Sequence, residues 1–135
     1  MGRSLLILSG CALLLAACGG GKPHAVRVYG RAPTVSCLRS HGFEVSTRQK
    51  DVGFIADSAS GGGLRARKGR VDVIVAFGSG KTERQQILVG VGRLGRAPIF
   101  GYRIARANVV MMWAYPPSKK TQSLLISCLD TPVRG

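Results

Sequence analysis

A glycine turn followed by a lysine and a threonine is the stretch of this sequence whose spacing could do chemistry. Residues 78–82 read GSGKT, after an apolar run and before a helix-like segment. Strand, glycine turn, Gly-Lys-Thr and helix is the order found in phosphate-binding loops, where backbone amides and the lysine hold nucleotide phosphates. The order raises the hypothesis of a phosphate or nucleotide enzyme that uses the turn Gly78–Thr82.

The spacing within the turn argues against that hypothesis. Four residues must separate the two glycines of a phosphate loop so that the backbone can wrap around the phosphates, and Gly78 stands only two residues before Gly80. No later apolar strand ends in an aspartate that could hold magnesium. A helix cap explains the turn more simply, because Thr82 and Gln85 have the spacing of a capping box.

The amino terminus has the composition of an export signal. Arg3 supplies a positive charge, and residues 5–17 are apolar apart from Ser9 and Gly10. A helix that spans a bilayer needs about 20 apolar residues, and this run is shorter. A buried N-terminal helix is the alternative, but nothing polar gives the segment an amphipathic face. The pattern therefore predicts that residues 1–17 form a signal peptide that is removed.

The last four residues of this segment, Leu15-Ala16-Ala17-Cys18, resemble the lipobox of bacterial lipoproteins. In that class the cysteine thiol receives a diacylglyceryl group, and a peptidase cuts directly before the cysteine. The resemblance is confined to the leader and its cysteine, and it implies that Cys18 becomes the lipidated first residue of the mature chain. Two or more acyl chains would hold the protein firmly at a membrane.

Anchoring at Cys18 predicts an extracytoplasmic location at a bacterial membrane surface. Residues 18–24 would be the lipidated cysteine and a glycine-rich tether, and residues 25–135 a single small domain. Gly19, rather than an aspartate, follows the cysteine. In a cell with two membranes this resembles lipoproteins that are sent to the outer membrane; a cell with one membrane would hold the protein on its outer leaflet.

The charge of the chain predicts attraction to anionic surfaces, since 20 Lys and Arg face 6 Asp and Glu, a formal net charge of +14. For an exported chain, anionic lipids or acidic envelope polymers are expected as partners rather than nucleic acid. A solvated basic surface with no dedicated ligand is the alternative, and no protein partner is indicated. The candidate anion-binding residues are the densest basic cluster and the lysine of the glycine turn: Arg65, Arg67, Lys68, Arg70 and Lys81.

Two cysteines remain if Cys11 leaves with the leader and Cys18 is lipidated. Cys37 and Cys128 would then meet an oxidising compartment, which favours a disulfide. In the chain-entropy model such a bridge stabilises a fold by roughly 4–5 kcal/mol. Two buried free thiols and a reactive site are the alternatives, although no Cys-x-x-Cys or Cys-His pattern indicates redox or metal chemistry.

The other residue types indicate no enzyme, cofactor or metal. The acidic residues are scattered and form no recognisable catalytic pair, and His24 and His41 are expected at the surface. The leading hypothesis is therefore a non-enzymatic, lipid-anchored protein of the cell envelope. A binding module for anionic envelope polymers or phospholipid headgroups is the alternative, and the phosphate or nucleotide enzyme comes third.

The pattern of the remaining chain predicts a two-layer α+β domain, a mainly antiparallel sheet of about four strands with about three helices packed on it. Helices are expected over 33–42 and 82–94, and after Ser118 as N-cap. The main strands are expected over 43–48, 71–77, 102–105 and 108–114. Two weaker strands are expected over 25–29 and 52–55, and a flexible loop over 58–63.

Overall fold

A computed structural model describes residues 27–93 and 100–131 of the chain. The predicted signal peptide, Cys18 and the tether lie outside these residues, and so does the start of the expected strand over 25–29, whose described residues 27–29 are not in a strand. The strands are β1 (Glu44–Ser46), β2 (Gly63–Lys68), β3 (Val71–Phe77), β4 (Tyr102–Arg106) and β5 (Val109–Trp113). The helices are α1 (Arg31–Ser40), α2 (Gln49–Val52), α3 (Phe54–Asp57), α4 (Lys81–Arg93) and α5 (Lys119–Leu129).

The predicted α+β class is confirmed, with one strand more than expected. The strands form one sheet in the order β1-β2-β3-β5-β4, and each neighbouring pair is antiparallel. The additional strand is β2, where the sequence indicated only a basic cluster. Leu64 and Ala66 are fully buried, while Arg65 and Arg67 project from the opposite face of the strand. No strand was predicted here because the arginines interrupt the apolar residues and leave no continuous apolar run.

The prediction of a weaker strand over 52–55 is wrong. That stretch forms α2 and α3, two short helices separated by Gly53 at φ +82°. A positive φ is open to glycine and costly for residues with a Cβ, so Gly53 breaks the extended backbone that a strand would need. Val52 and Ala56 are buried from the two helices, whereas Phe54 is 74 % exposed.

Hydrophobic cores lie on both faces of the sheet, because side chains alternate along β3. Val73, Val75 and Phe77 belong to one core, and Ile74 and Ala76 belong to the other. The helices therefore cover both faces of the sheet, which makes three layers rather than the two expected. The first core is closed by residues of α1 and α5, namely Leu38, Leu125 and Leu129. The second is closed by residues of α2, α3 and α4, namely Val52, Ala56 and Ile87.

A buried asparagine ties three separate segments together. The amide nitrogen of Asn108 donates to the carbonyl oxygens of Gly78 at 2.7 Å and Tyr29 at 3.1 Å. Its amide oxygen accepts from the backbone N–H of Tyr29 at 2.8 Å, and its own carbonyl oxygen accepts from the N–H of Gly78 at 2.8 Å. Asn108 is only 1 % exposed, so these bonds satisfy polar groups that water does not reach.

A disulfide joins Cys37 in α1 to Cys128 in α5, as the sequence predicted. It connects residues 91 positions apart, and the two Cα atoms lie 5.4 Å from each other. Cys128 is fully buried and Cys37 packs against the same core. The bridge therefore fastens the first helix to the last on one face of the sheet.

Replacement of both Cys37 and Cys128 by alanine is expected to lower the free energy of unfolding by about 4 kcal/mol, because the unfolded chain regains the freedom of a long loop. Urea denaturation followed by circular dichroism measures the change. Ser40→Ala, an exposed substitution near the end of α1, serves as control and should change the free energy by less than about 1 kcal/mol. Equal unfolding midpoints for the double variant and the control would contradict this account.

Candidate functional site

The carboxylate of Glu83 closes the start of α4. The helix begins at Lys81, which makes Glu83 its third residue. Its oxygens accept from the backbone N–H of Ser79 at 2.6 Å, and from the N–H and hydroxyl of Ser60, each at 2.7 Å. These bonds, the Ser60 amide first among them, lower the pKa of Glu83 to about 2.

This arrangement leaves the glycine turn without the features of a phosphate loop. An anion at a helix start is stabilised by the free amides and the helix dipole, and here the chain supplies that anion itself. The N–H of Gly78 is also engaged, with the carbonyl oxygen of Asn108. A phosphate in the turn would have to compete with the Glu83 carboxylate for the Ser79 amide and would be repelled by its charge. Lys81 is exposed and lies along an open hollow on the outer surface of α4.

The predicted capping box of Thr82 and Gln85 is wrong. The helix starts at Lys81, so Thr82 already lies inside it, and the residue that reaches back to the turn is Glu83. The missed signal was Ser79 followed four residues later by a glutamate. That spacing lets an acidic side chain in the first turn reach an amide that precedes the helix.

Strand β2 divides the predicted basic cluster between the two faces of the sheet. Arg65 makes a two-point ion pair with Asp72, at 2.8 and 2.6 Å, and this pairing raises the pKa of Arg65. Its guanidinium also stands 5.4 Å from the centre of the Phe100 ring. Arg67 projects from the same face and pairs with Glu44 at 3.0 Å. Both arginines therefore meet acidic partners of their own chain.

The other two residues of the cluster lie elsewhere. Lys68 points to the opposite face, where its Nζ donates to the carbonyl oxygen of His41 at 2.6 Å and stands 5.6 Å from the Phe43 ring centre. Arg70 lies in the β2–β3 turn, is exposed, and has no acidic partner among the residues that the structure describes. Arg70 also lines a cleft.

The cleft lies where β3 begins, β5 ends and α5 begins. Its volume is about 690 Å³. Arg70 and Val71 form one side, and the residues between β5 and α5 form the other. Its lining is rich in aromatic and proline residues: Trp113, Tyr115, Pro116, Pro117, Ser118 and Thr121. Tyr115 is 68 % exposed, which leaves its ring face open to a ligand.

The start of α5 gives this cleft a positive end. The Ser118 hydroxyl caps the helix by accepting from the N–H of Thr121 at 3.2 Å. The first turn contains Lys119 and Lys120 and no acidic residue. Cations at a helix start oppose the dipole, whereas an anion there would be stabilised. The start of α4 is closed by Glu83, but the start of α5 carries no carboxylate of its own.

A buried donor also belongs to the cleft wall. Trp113 is only 1 % exposed, and its indole N–H has no hydrogen-bond partner among the described residues. An unmet donor of this kind costs about 1–3 kcal/mol. The sequence predicts Trp113 within the strand expected over 108–114 and does not connect it with Arg70. Residues 70 and 113 are brought together only by the pairing of β3 with β5.

One group of described residues brings metal-ligating atom types together. Cys37, His41 and Cys128 offer two sulfur atoms and an imidazole nitrogen, all within 4.8 Å of one another. The two sulfur atoms are joined in the disulfide, so they are not free to bind a metal in this state. No Cys-His pattern was recognised in the sequence, so Cys37 and His41, which are one helical turn apart, were overlooked. The position of Cys128 beside them depends on the fold.

Comparisons of the chain with models of protein families, with curated proteins and with solved structures found no match. None of the described helices combines the length and the hydrophobicity that crossing a membrane would require.

Glu83→Gln is expected to lower the free energy of unfolding at neutral pH by about 1 kcal/mol, because the amide cannot replace a charged cap. The contribution of Glu83 is present above its ordinary pKa of 4.5 and is lost as the pH falls towards about 2. Urea denaturation at pH 7 and pH 3 should therefore show a smaller pH effect in the variant. Glu44→Gln, which removes a surface ion pair, is the control. The same pH effect in Glu83→Gln and the parent would contradict the role of this carboxylate.

Proposed function

We propose that this chain is an exported, lipid-anchored binding protein of the bacterial envelope, non-enzymatic, with a basic domain that holds anionic groups in the cleft beside α5. The observation that carries the proposal is the meeting of Arg70 with a helix start that bears Lys119 and Lys120 and no acid. The side-chain charges and the N-terminal end of the α5 dipole are both positive there, so both stabilise an anionic ligand.

The lining of the cleft narrows the chemistry of the ligand. Tyr115, Pro116 and Pro117 offer flat, largely apolar surface beside the positive end. A phosphate or carboxylate attached to a sugar or glycerol body would place its charge at Arg70 and the α5 start, and its body against this wall. Acidic envelope polymers and phospholipid headgroups share this chemistry.

The anchor and the disulfide are mutually consistent. A lipidated Cys18 would place the domain outside the cytoplasm, and a disulfide persists in oxidising compartments of that kind. The short tether would keep the domain near the membrane, where a positive surface attracts anionic headgroups within about 10 Å at moderate salt. The proposed outer-membrane destination in a two-membrane cell rests on the resemblance at Cys18 and Gly19.

The anchor is tested by the intact mass of the protein extracted from membranes. Loss of residues 1–17 and the added mass of acyl chains on Cys18 are the expected result. Cys18→Ser should be neither acylated nor retained in the membrane fraction, because the thiol is the acceptor. Cys11→Ser is the matched control and should be processed like the parent. Processed and membrane-bound Cys18→Ser would sink the proposed anchor.

The cleft is tested with Arg70→Gln. Binding to a soluble polyuronate and to phosphatidylglycerol vesicles is measured separately, so that the two ligand sources are told apart. The variant should bind its ligand about tenfold more weakly, which is 1.4 kcal/mol. Lys50→Gln removes the same charge from an exposed site on α2 and should have a much smaller effect.

Equal losses in the two variants would show that the whole surface attracts anions and the cleft does not select them. Binding that is unchanged in roughly 1 M salt, where the Debye length is about 3 Å, would also contradict an electrostatic site.

A further inference from the structure

An imidazole lies beside the disulfide. Cys37 and His41 stand one turn apart at the end of α1, and Cys128 comes from α5. The two sulfur atoms and a ring nitrogen of His41 all lie within 4.8 Å of one another. Two cysteines and a histidine are the ligand types of borderline-soft cations such as Zn²⁺.

The position of these residues does not depend on the sulfur–sulfur bond alone. Helices α1 and α5 also meet through Leu38, Leu125 and Leu129, which are 0–2 % exposed and share one core. A chain with a reduced disulfide would keep this apolar contact. The two thiols would then remain close together, with the imidazole of His41 beside them.

We infer that the reduced chain binds a Zn²⁺-like cation through Cys37, Cys128 and His41. A dithiol reductant supplies two electrons and two protons, so the disulfide opens to two thiols and the reductant becomes a disulfide. Binding of the cation then releases the two thiol protons, because thiolates are the ligands. The neutral imidazole gives the third ligand, and a water molecule can take the fourth.

The surroundings suit such a site. Zinc lies about 2.3 Å from thiolate sulfur and about 2.0–2.1 Å from imidazole nitrogen, which puts tetrahedral ligand atoms roughly 3.5–3.8 Å apart. Small side-chain rotations bring atoms within 4.8 Å to that spacing. Cys128 is buried, Cys37 is half-buried and His41 is exposed, so the cation would enter from the side of the histidine. The disulfide and a bound cation exclude each other because both use the same two sulfur atoms. The site therefore forms only when the disulfide is reduced.

Cobalt titration tests this inference on the full-length chain. Cys11 and Cys18 are replaced by serine in every arm, so that Cys37 and Cys128 are the only cysteines. After reduction with dithiothreitol and its removal under argon, Co²⁺ should give the absorption of a thiolate-bound tetrahedral ion, and Zn²⁺ should displace it. The unreduced chain should give no such band.

His41→Ala in the same background is expected to weaken cobalt binding at least tenfold. His24→Ala, which removes the other histidine of the chain, is the matched control and should bind like the parent. Equal binding by His41→Ala and the control would overturn the three-ligand site. Absence of the thiolate band from the reduced parent, or an equal band from the unreduced chain, would overturn the inference as a whole.

A denaturation experiment covers the case in which the reduced chain is unstable. Zn²⁺ that binds the folded site raises the urea midpoint of the reduced chain, whereas Zn²⁺ that binds the thiols of unfolded chains lowers it. If the reduced chain is unfolded without metal, Zn²⁺ should restore the near-ultraviolet circular dichroism of the folded protein. A lowered midpoint, or no restored signal, contradicts the proposed site.

Discussion

Burial of β3 on both faces is the constraint on which the rest of this fold depends. Six of its residues sit in two cores or at their edges, so the chain must cover both sides of the sheet. The middle of the chain covers one side with α2, α3 and α4. The other side is covered by α1 and α5, which are far apart in sequence. Bringing α1 and α5 together closes a long loop, which is entropically unfavourable. The disulfide joins these same two helices and offsets part of that cost.

The scarcity of acidic residues gives the surface its character. Asp72 and Glu44 pair with the arginines of β2, and Glu83 serves the glycine turn. Asp51 pairs with Arg48, and Asp130 with Arg27. Five of the six acidic residues are thus engaged within the domain and, among the residues that the structure describes, only Asp57 is not, so little negative charge is left to neutralise Arg70 or the start of α5. At Arg70 and the start of α5, neither acidic side chains nor the helix dipole neutralise the positive charge. An external anion would therefore be stabilised most at this place.

Local signals determined how much could be predicted from the sequence. The α1 and α5 helices, β3 and the β4–β5 pair were predicted because proline, serine and glycine marked their ends and apolar residues repeated within them. Strand β2 was missed because Arg65 and Arg67 alternate with Leu64 and Ala66 and interrupt the apolar residues. Helices α2 and α3 were missed because they are too short to show a period. Of the residues that line the cleft, the sequence singled out Arg70 as a candidate but not its neighbours, since Trp113 and Tyr115 approach it only through strand pairing.

The glycine turn shows why a strand, a glycine turn and a helix in this order need not indicate a nucleotide-binding site. A helix start attracts negative charge through its free amides and its dipole, whatever molecule carries the charge. In a phosphate loop the ligand carries it, whereas here Glu83 does. Gly78 is closely packed: a Cβ at this position would stand 3.2 Å from the carbonyl oxygen of Asn108 and 3.2 Å from the Cβ of Glu83. Internal contacts thus account for the turn, whereas the start of α5 has no acidic residue in its first turn and borders the cleft.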